Sequence, residues 1–544
     1  MKKQGKKWML VALALLAVVT VALPLVGCKN DTVAEQTGDG TGSGDGNQGS
    51  GDGNQGTGDG TGSGSGNQGS GDPEQPVTYT VSFNTHGGGS IDSQTIVSGQ
   101  TATKPADPTL ENNVFYGWYS DKELTSEYDF TTPVTGSFTL YAKWVEGTEV
   151  TANNVSTVIE GLTGEGPHTL VVTGELNDLS AIKTALDEKS TAKVNLDLSK
   201  ATGLTSIGEG AFDRCYSLTS ISIPSSVTSI GKGAFFNCYS LTSIDLSKAT
   251  GLTSIGEDAF DGCYSLTSID LSKATGLTSI GDHAFSGYSV LTSISIPSSV
   301  TSIGNYAFYG CSGLTSISIP SSVTSIGEAA FSGCSSLNIS VKENNTKYSS
   351  VDGMLLNKEK TILIAYPSAT VTNVPTSVTT IGNYAFYGCS GLTSIDLSKA
   401  TGLTSIGEAA FYGCDSLTSI SIPEGVKIIA DSAFSGCSGL TSIDLSKATG
   451  LTTIGYGAFD GCIGLTSISI PSSVTSIGEV AFYGCSSLEE VTMEANTPPE
   501  LGIWAFNGTA DTLQILVPSG FVNDYKAANN WKDLTIEAIP EPTS

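Results

Sequence analysis

The chain has 544 residues, 65 of them glycine, and carries a formal charge of −28 at pH 7 although only 14% of its residues are charged. So acidic a balance excludes a DNA or RNA backbone as ligand and charge-driven adhesion to anionic lipid, both of which demand basic patches; it favours solubility outside a cell. The length leaves room for several domains, and abundant glycine with sparse charge marks much of the chain as repeat and linker.

Lys2, Lys3, Lys6 and Lys7 precede an apolar run from Met9 to Val26, the order of an export signal. The closing Leu25-Val26-Gly27-Cys28 resembles the lipobox of bacterial lipoproteins. That resemblance implies a lipoprotein signal peptide over residues 1–27, cleavage before Cys28, and acylation of the Cys28 thiol and its new amine. Several acyl chains anchor stably where one is marginal. The competing expectation is an uncleaved anchor, since the apolar run approaches spanning length; the small Gly27 before a solitary Cys28 favours cleavage. Loss of residues 1–27 leaves 21 basic against 53 acidic residues, a charge of −32.

Residues 28–76 comprise that cysteine and a stretch of Gly, Ser, Thr, Asp, Asn and Gln with almost nothing apolar after Val33. This composition reads as a disordered tether with a mean reach of roughly 35–40 Å. Its Asp-Gly alternation lacks the apolar residue that lets calcium-binding turns stack.

Over residues 77–146 apolar and polar residues alternate, as in Tyr79-Thr80-Val81-Ser82-Phe83, with Gly, Pro and Asp between segments. The pattern predicts three or four short strands, with Trp118 and Trp144 as core. Val81, Phe83, Asn84, Gly87 and Gly88, then Phe115-Tyr116-Gly117-Trp118, then Leu140-Tyr141-Ala142-Lys143-Trp144 resemble the Listeria–Bacteroides, or internalin B-type, repeat. The resemblance implies a small β-grasp-like stalk module of cell-envelope proteins. Residues 147–198 read as an N-terminal cap, with a strand over 168–173 and a helix over 178–189 that Asp178 caps.

From residue 199 to 510 one phrase recurs eleven times: Ile-Gly, two variable residues, Ala-Phe, two more, usually Cys, then Leu-Thr-Ser-Ile in nine copies, extended to Leu-x-x-Ile-x-Ile in five of them. Successive copies begin 23 or 25 residues apart, except for one interval of 55, and Ile429 is followed by Ala430 instead of glycine. A unit this short cannot bury its own apolar face, so the period predicts a solenoid of stacked coils. Leu218, Ile221 and Ile223 turn inward, and Ser220 and Ser222 outward. The strand exits through Pro224-Ser225-Ser226-Val227 or through a version two residues longer, Ser247-Lys248-Ala249-Thr250-Gly251-Leu252, which accounts for the two periods.

This phrase, continued by Pro-x-Ser-Val, resembles the BspA-like, or Treponema pallidum-type, leucine-rich repeat of bacterial surface proteins. The resemblance implies a mainly β fold with a parallel sheet on the concave side. It also makes residues 338–380 a hairpin-containing variant repeat. Residues 511–544, with Val517-Pro518 and Trp531, read as the C-terminal cap and tail.

Ten of the eleven cysteines occupy one repeat position, and Tyr288 stands there in one coil. Equivalent positions stack, so a ladder of free, buried thiols is expected over disulfides or a metal site. His86, His168 and His283 fall in different units, and no phosphate loop, dinucleotide fingerprint, zinc spacing or strained nucleophile turn appears. No enzyme, cofactor or metal chemistry is expected.

Two columns could instead form a binding surface. The outward strand position carries Ser222, Asp245, Asp270, Ser295, Ser318, Asp396, Ser421, Asp444 and Ser469. The position after the Ala-Phe pair carries Phe236, Tyr309, Tyr387, Tyr412 and Tyr483; tyrosine offers large contact area at low entropy cost. The plainer alternatives are solvated strand surface for the first and packing between coils for the second. The resemblance implies an adhesin at the bacterial cell surface, anchored in the membrane by lipid, that binds host extracellular proteins or other bacteria. A carbohydrate-binding envelope protein or a passive structural surface protein are the alternatives.

Overall fold

The computed structural model describes residues 75–366 and 373–540. The signal peptide, Cys28 and nearly all of the tether lie outside the described residues.

Four strands, β1 (Thr78–Asn84), β2 (Gln94–Val97), β3 (Asn113–Tyr119) and β4 (Phe138–Glu146), form one sheet in the order β2-β1-β4-β3. β1 and β4 pair in parallel at its centre. The alternation in the sequence turns Val81, Leu140 and Ala142 onto one buried face, where Trp118 meets Phe83 and Phe115 edge to face at 5.0 and 5.4 Å. Trp144 packs at the margin of this core, and its Nε1 donates to the Thr85 carbonyl at 2.8 Å.

Next come β5 (Thr148–Thr151), α1 (Val155–Gly161), β6 (His168–Glu175), α2 (Ser180–Glu188) and β7 (Val194–Thr202). β5, β6 and β7 are parallel and pass directly into the repeat strands Leu218–Ser222 and Ser243–Asp245, so they are the first rungs of the concave sheet. Two details correct the sequence reading. The helix starts at Ser180 with Leu179 in the cap position, while the Asp178 carboxylate accepts from the Ser180 N–H at 3.0 Å and so closes a turn just before the helix. α1 was not anticipated: its β-branched residues are poor helix formers, and a seven-residue element burying only Val155 and Ile159 carries little periodic signal. Tyr116 of β3 donates to Asp197 of β7 at 3.0 Å, and Lys200 contacts the Phe115 carbonyl, which ties the small sheet to the first rungs.

Each repeat coil contributes one rung to two ladders. The first is the concave sheet. The second, which the sequence reading took only as the opening of a new leg, is a ladder of two-residue strands such as Ser206–Ile207, Ser229–Ile230 and Ser254–Ile255, paired in register Ile to Ile. From Gly231 onward the glycine after the isoleucine lies against the previous coil's backbone: a Cβ on Gly281 would sit 2.4 Å from the carbonyl carbon of Gly256. Where Ala430 replaces it, the bond from its N–H to Ile406 stretches to 3.3 Å, against 2.9 Å for Gly407 to Ile381 and 2.8 Å for Gly455 to Ile429.

Between the ladders runs a spine of stacked phenylalanines, with Phe235 and Phe260 5.1 Å apart and Phe411 and Phe434 5.0 Å apart. All ten repeat cysteines are free and buried. Each Sγ from Cys238 onward donates to the carbonyl of the preceding spine residue, as from Cys238 to Phe212 at 2.9 Å and from Cys263 to Phe235 at 3.0 Å. Tyr288 fits the column because its hydroxyl makes the equivalent bond to Phe260 at 2.7 Å. Burial pushes the Cys389 and Cys485 thiols up to about 12, which leaves them protonated and unreactive at neutral pH.

The 55-residue interval holds the hairpin Tyr348–Val351 with Met354–Asn357, followed by strand Ile362–Ala365, which joins the second ladder beside Thr380–Ile381. Here the solenoid core divides into two apolar sections. At the far end α3 (Val522–Ala527) and the chain after it bury Tyr525 and Trp531, whose polar atoms bond the carbonyls of Ala495 and Pro499 at 2.9 Å each.

Candidate binding surfaces of the solenoid

On the concave sheet the aligned outward positions are adjacent across rungs: Asp245 opposite Ser222, Asp270 opposite Ser295, and Ser421 opposite Asp444. All nine are exposed except Ser222 and Ser318, which are half-buried. The aspartates do more than face water. Each accepts the N–H two residues on, Asp245 from Ser247, Asp270 from Ser272 and Asp396 from Ser398 at 2.8 Å, and Asp444 from Ser446 at 2.9 Å. That bond opens the longer Asp-Leu-Ser-Lys turn, so aspartate marks the longer turns and serine the Ser-Ile-Pro ones. The same bonds, with those from serine hydroxyls, hold Asp270, Asp396 and Asp444 below the usual carboxylate range.

A groove of about 780 Å³ lies on this face, floored by Ser293, Ser295, Ser316, Ser318 and Ser340 and walled by Lys342, Glu343 and Asn344 at the start of the variant repeat. Of the candidate residues it gathers Ser295 and Ser318. Asp270 is the neighbouring rung of the same stretch but does not line the groove. The other six stand on other stretches, because the concave sheet is interrupted between Ser243–Asp245 and Ser268–Asp270, again after Asn338–Val341, and between Ser442–Asp444 and Ser467–Ile470.

On the turn face, Tyr309, Tyr387 and Tyr412 come together. Tyr309 and Tyr387 stand on either side of the small Ser332 and lean over it until their hydroxyls meet at 3.2 Å, and Tyr387 stacks on Tyr412 at 4.8 Å. Tyr306 and Tyr384, in the column just before Ala-Phe, join this cluster, and His283 stacks on Tyr306 at 4.8 Å. Tyr483 stands apart from it.

Besides Tyr306 and Tyr384, three further aromatic residues were missed. Tyr216, Tyr239 and Tyr264, each directly after a column cysteine, stack at 5.3 and 5.5 Å and are exposed. Their shared position in the repeat was the available signal. His86 bonds the Ala142 carbonyl of the small sheet, and His168 stands on β6, so the three histidines remain on separate elements. Among the described residues no group of three or more His, Cys, Asp or Glu side chains is placed to hold a metal ion.

Residues 190–290, 365–459 and 404–534 match the BspA type leucine-rich repeat region, in six copies, and residues 79–143 match the Listeria–Bacteroides repeat domain. Over 67 residues the chain is 45% and 42% identical to two proteins of Evansella cellulosilytica named as membrane proteins, the first as glycine-rich. Those matches cover 12% of this chain and only 8% and 10% of the relatives' own lengths. Among solved structures, a leucine-rich cell surface protein of Faecalibacterium prausnitzii is similar over 80% of this chain and 98% of its own, at 25% identity and a TM-score of 0.48. A leucine-rich repeat protein of Bacteroides ovatus is similar over 64% of this chain and 84% of its own, at 29% identity and a TM-score of 0.41. The chain belongs to the BspA-type leucine-rich-repeat proteins and carries a Listeria–Bacteroides repeat domain ahead of its repeats.

Proposed function

We propose that this protein is an adhesin, held in the bacterial cell envelope by lipid on Cys28, that binds host extracellular proteins or other bacteria through its solenoid. The observation that carries the reading is the concave groove: serine hydroxyls on a rigid sheet supply adaptable hydrogen bonds, and the variant repeat walls one end. Near-identical rungs extend the same chemistry along the rod, so weak contacts add by avidity. The full chain is expected to bind a matrix protein or epithelial surface saturably, and Ser295→Arg with Ser318→Arg to weaken that binding about tenfold by obstructing the floor. No saturable binding across a broad panel of matrix proteins and cells would refute the reading.

The anchor is tested separately. Radiolabelled palmitate should enter the wild-type protein and not Cys28→Ala, which should appear in the soluble fraction. The hydroxyl-rich floor also favours a second reading, glycan capture, which a glycan array would reveal.

A further inference from the structure

The turn face carries a recess apart from the concave groove. In the column after each spine phenylalanine, backbone bonds from Gly388 to Tyr412 (2.8 Å), Gly413 to Ser435 (2.9 Å), Gly436 to Asp460 (2.7 Å) and Gly461 to Tyr483 (2.8 Å) make these residues successive rungs. With rungs about 4.8 Å apart, Tyr412 and Tyr483 stand roughly 14 Å from each other with two rungs between. In this column and the one just before Ala-Phe, those two rungs carry only Ser432, Ser435 and Gly457 and one carboxylate, Asp460. Ser435 is buried, and a Cβ placed on Gly457 would lie 3.6 to 3.8 Å from Asp460, Ser432 and Val480, so these residues form one floor. The ring of Tyr412 is covered on one side by Tyr387 and faces the recess with the other; it is 38% exposed, and Tyr483 is 44% exposed.

Asp460 is half-buried in this floor, and among the described residues no donor bonds its carboxylate. Burial alone pushes its pKa up, with no hydrogen bond or cation to offset it. A partly desolvated carboxylate without a partner is costly, and a cation is its strongest complement. The faces of two tyrosines attract a cation as well. The adjoining column carries Glu408, Asp431 and Glu479, with Tyr456 between the last two; the carbonyl of Glu479 is bonded to Gly457 at 3.0 Å, and the whole chain has a charge of −28. This field gathers cations and repels anions.

We propose that the recess bounded by Tyr412 and Tyr483 and floored by Asp460 receives an arginine or lysine side chain of a protein partner. The site rests on the protein-binding reading above and specifies the chemistry of one contact. A neutral sugar could use the ring and the carboxylate, but would leave the charge uncompensated.

The probe is a hexa-arginine peptide, with an uncharged Gly-Ser hexapeptide as blank, titrated onto the full chain at several salt concentrations. Asp460→Asn and Tyr412→Ala should each weaken hexa-arginine binding about tenfold, while Glu479→Gln, which removes the same charge from the adjoining column, should change it less than twofold. Asp460→Asn should also raise the melting temperature, which separates lost recognition from lost folding. Equal losses from Asp460→Asn and Glu479→Gln would overturn the site in favour of diffuse charge. So would an unchanged Asp460→Asn affinity, or a neutral oligosaccharide whose binding alone depends on Asp460. If matrix-protein binding persists and remains sensitive to Ser318→Arg in any of those cases, this inference fails and the adhesin reading stands. If matrix binding is absent while hexa-arginine still distinguishes Asp460 from Glu479, the adhesin reading fails and the recess stands.

Discussion

The coils opening at Ile255 and Ile280 and those opening at Ile429, Ile454 and Ile477 share one backbone, and each stretch places an aspartate in the same column, Asp261 and Asp460. Their surroundings differ. Around Asp261, burial and Asp258 raise the pKa, and His283 with a hydrogen bond from Ser286 lowers it; His283 also fills the space by stacking on Tyr306. Around Asp460 the corresponding positions hold Gly457, Val480 and Tyr483, and burial acts unopposed. The repeat determines where a side chain stands, and its neighbours two or three columns away determine whether its charge is satisfied at home or left for a partner.

The largest effect should show what the two stretches have in common. Phe260→Ala and Phe434→Ala each remove a fully buried ring from the spine and should each cost about 3–5 kcal/mol in urea unfolding. A loss confined to one of them would mean that the two core sections are not equivalent. A smaller effect makes the second stretch more like the first. Ala430→Gly should restore the close backbone contact that Gly256 and Gly281 make, and Val480→Gly should relieve a β-branched residue held at φ 52°; each should stabilise by about 1 kcal/mol. No gain from Ala430→Gly would show that the stretched bond to Ile406 carries no strain.

A subtler contrast lies in the aspartates themselves. The raised pKa of Asp460 means that the folded state holds its proton more tightly than the unfolded one, so its destabilising charge is present at neutral pH and relieved as pH falls. Asp460→Asn should therefore raise the melting temperature at pH 7 and lose that advantage in acid, whereas Asp261→Asn should gain less. The smallest effect belongs to the concave face. The depressed pKa values of Asp270, Asp396 and Asp444 signify stability present above the ordinary value of 3.8 and lost as pH falls through their lowered values. Replacing all three by Ala should flatten the melting curve's dependence on pH between about 5 and 2.

Much of the architecture was legible because it is periodic. Leu218, Ile221 and Ile223 announce an inward strand face by spacing alone, the cysteine column announces a buried ladder, and the alternation around Val81 and Phe83 announces a small sheet. What was not legible was non-local or conformational. The two-residue ladder at Ile207, Ile230 and Ile255 is too short to leave a strand signature. The role of Asp245 and Asp270 in opening the longer turns became clear only when the carboxylate was seen on the N–H of Ser247 or Ser272. The candidate tyrosines were read as one stripe, yet Tyr309 and Tyr387 close over Ser332, while Tyr412 and Tyr483 bound an open recess.

By itself, the sequence determined the stacked-coil architecture, the identity of the interior columns and the two alternative turns, because these follow from which residues recur every 23 or 25 positions. The tertiary structure decided which surface residues meet. Sequence distance does not measure proximity across a solenoid: Tyr309 and Tyr387 are 78 residues apart and share a hydrogen bond, because the variant repeat joins one ladder while the turn column passes directly from Gly333 to Tyr387.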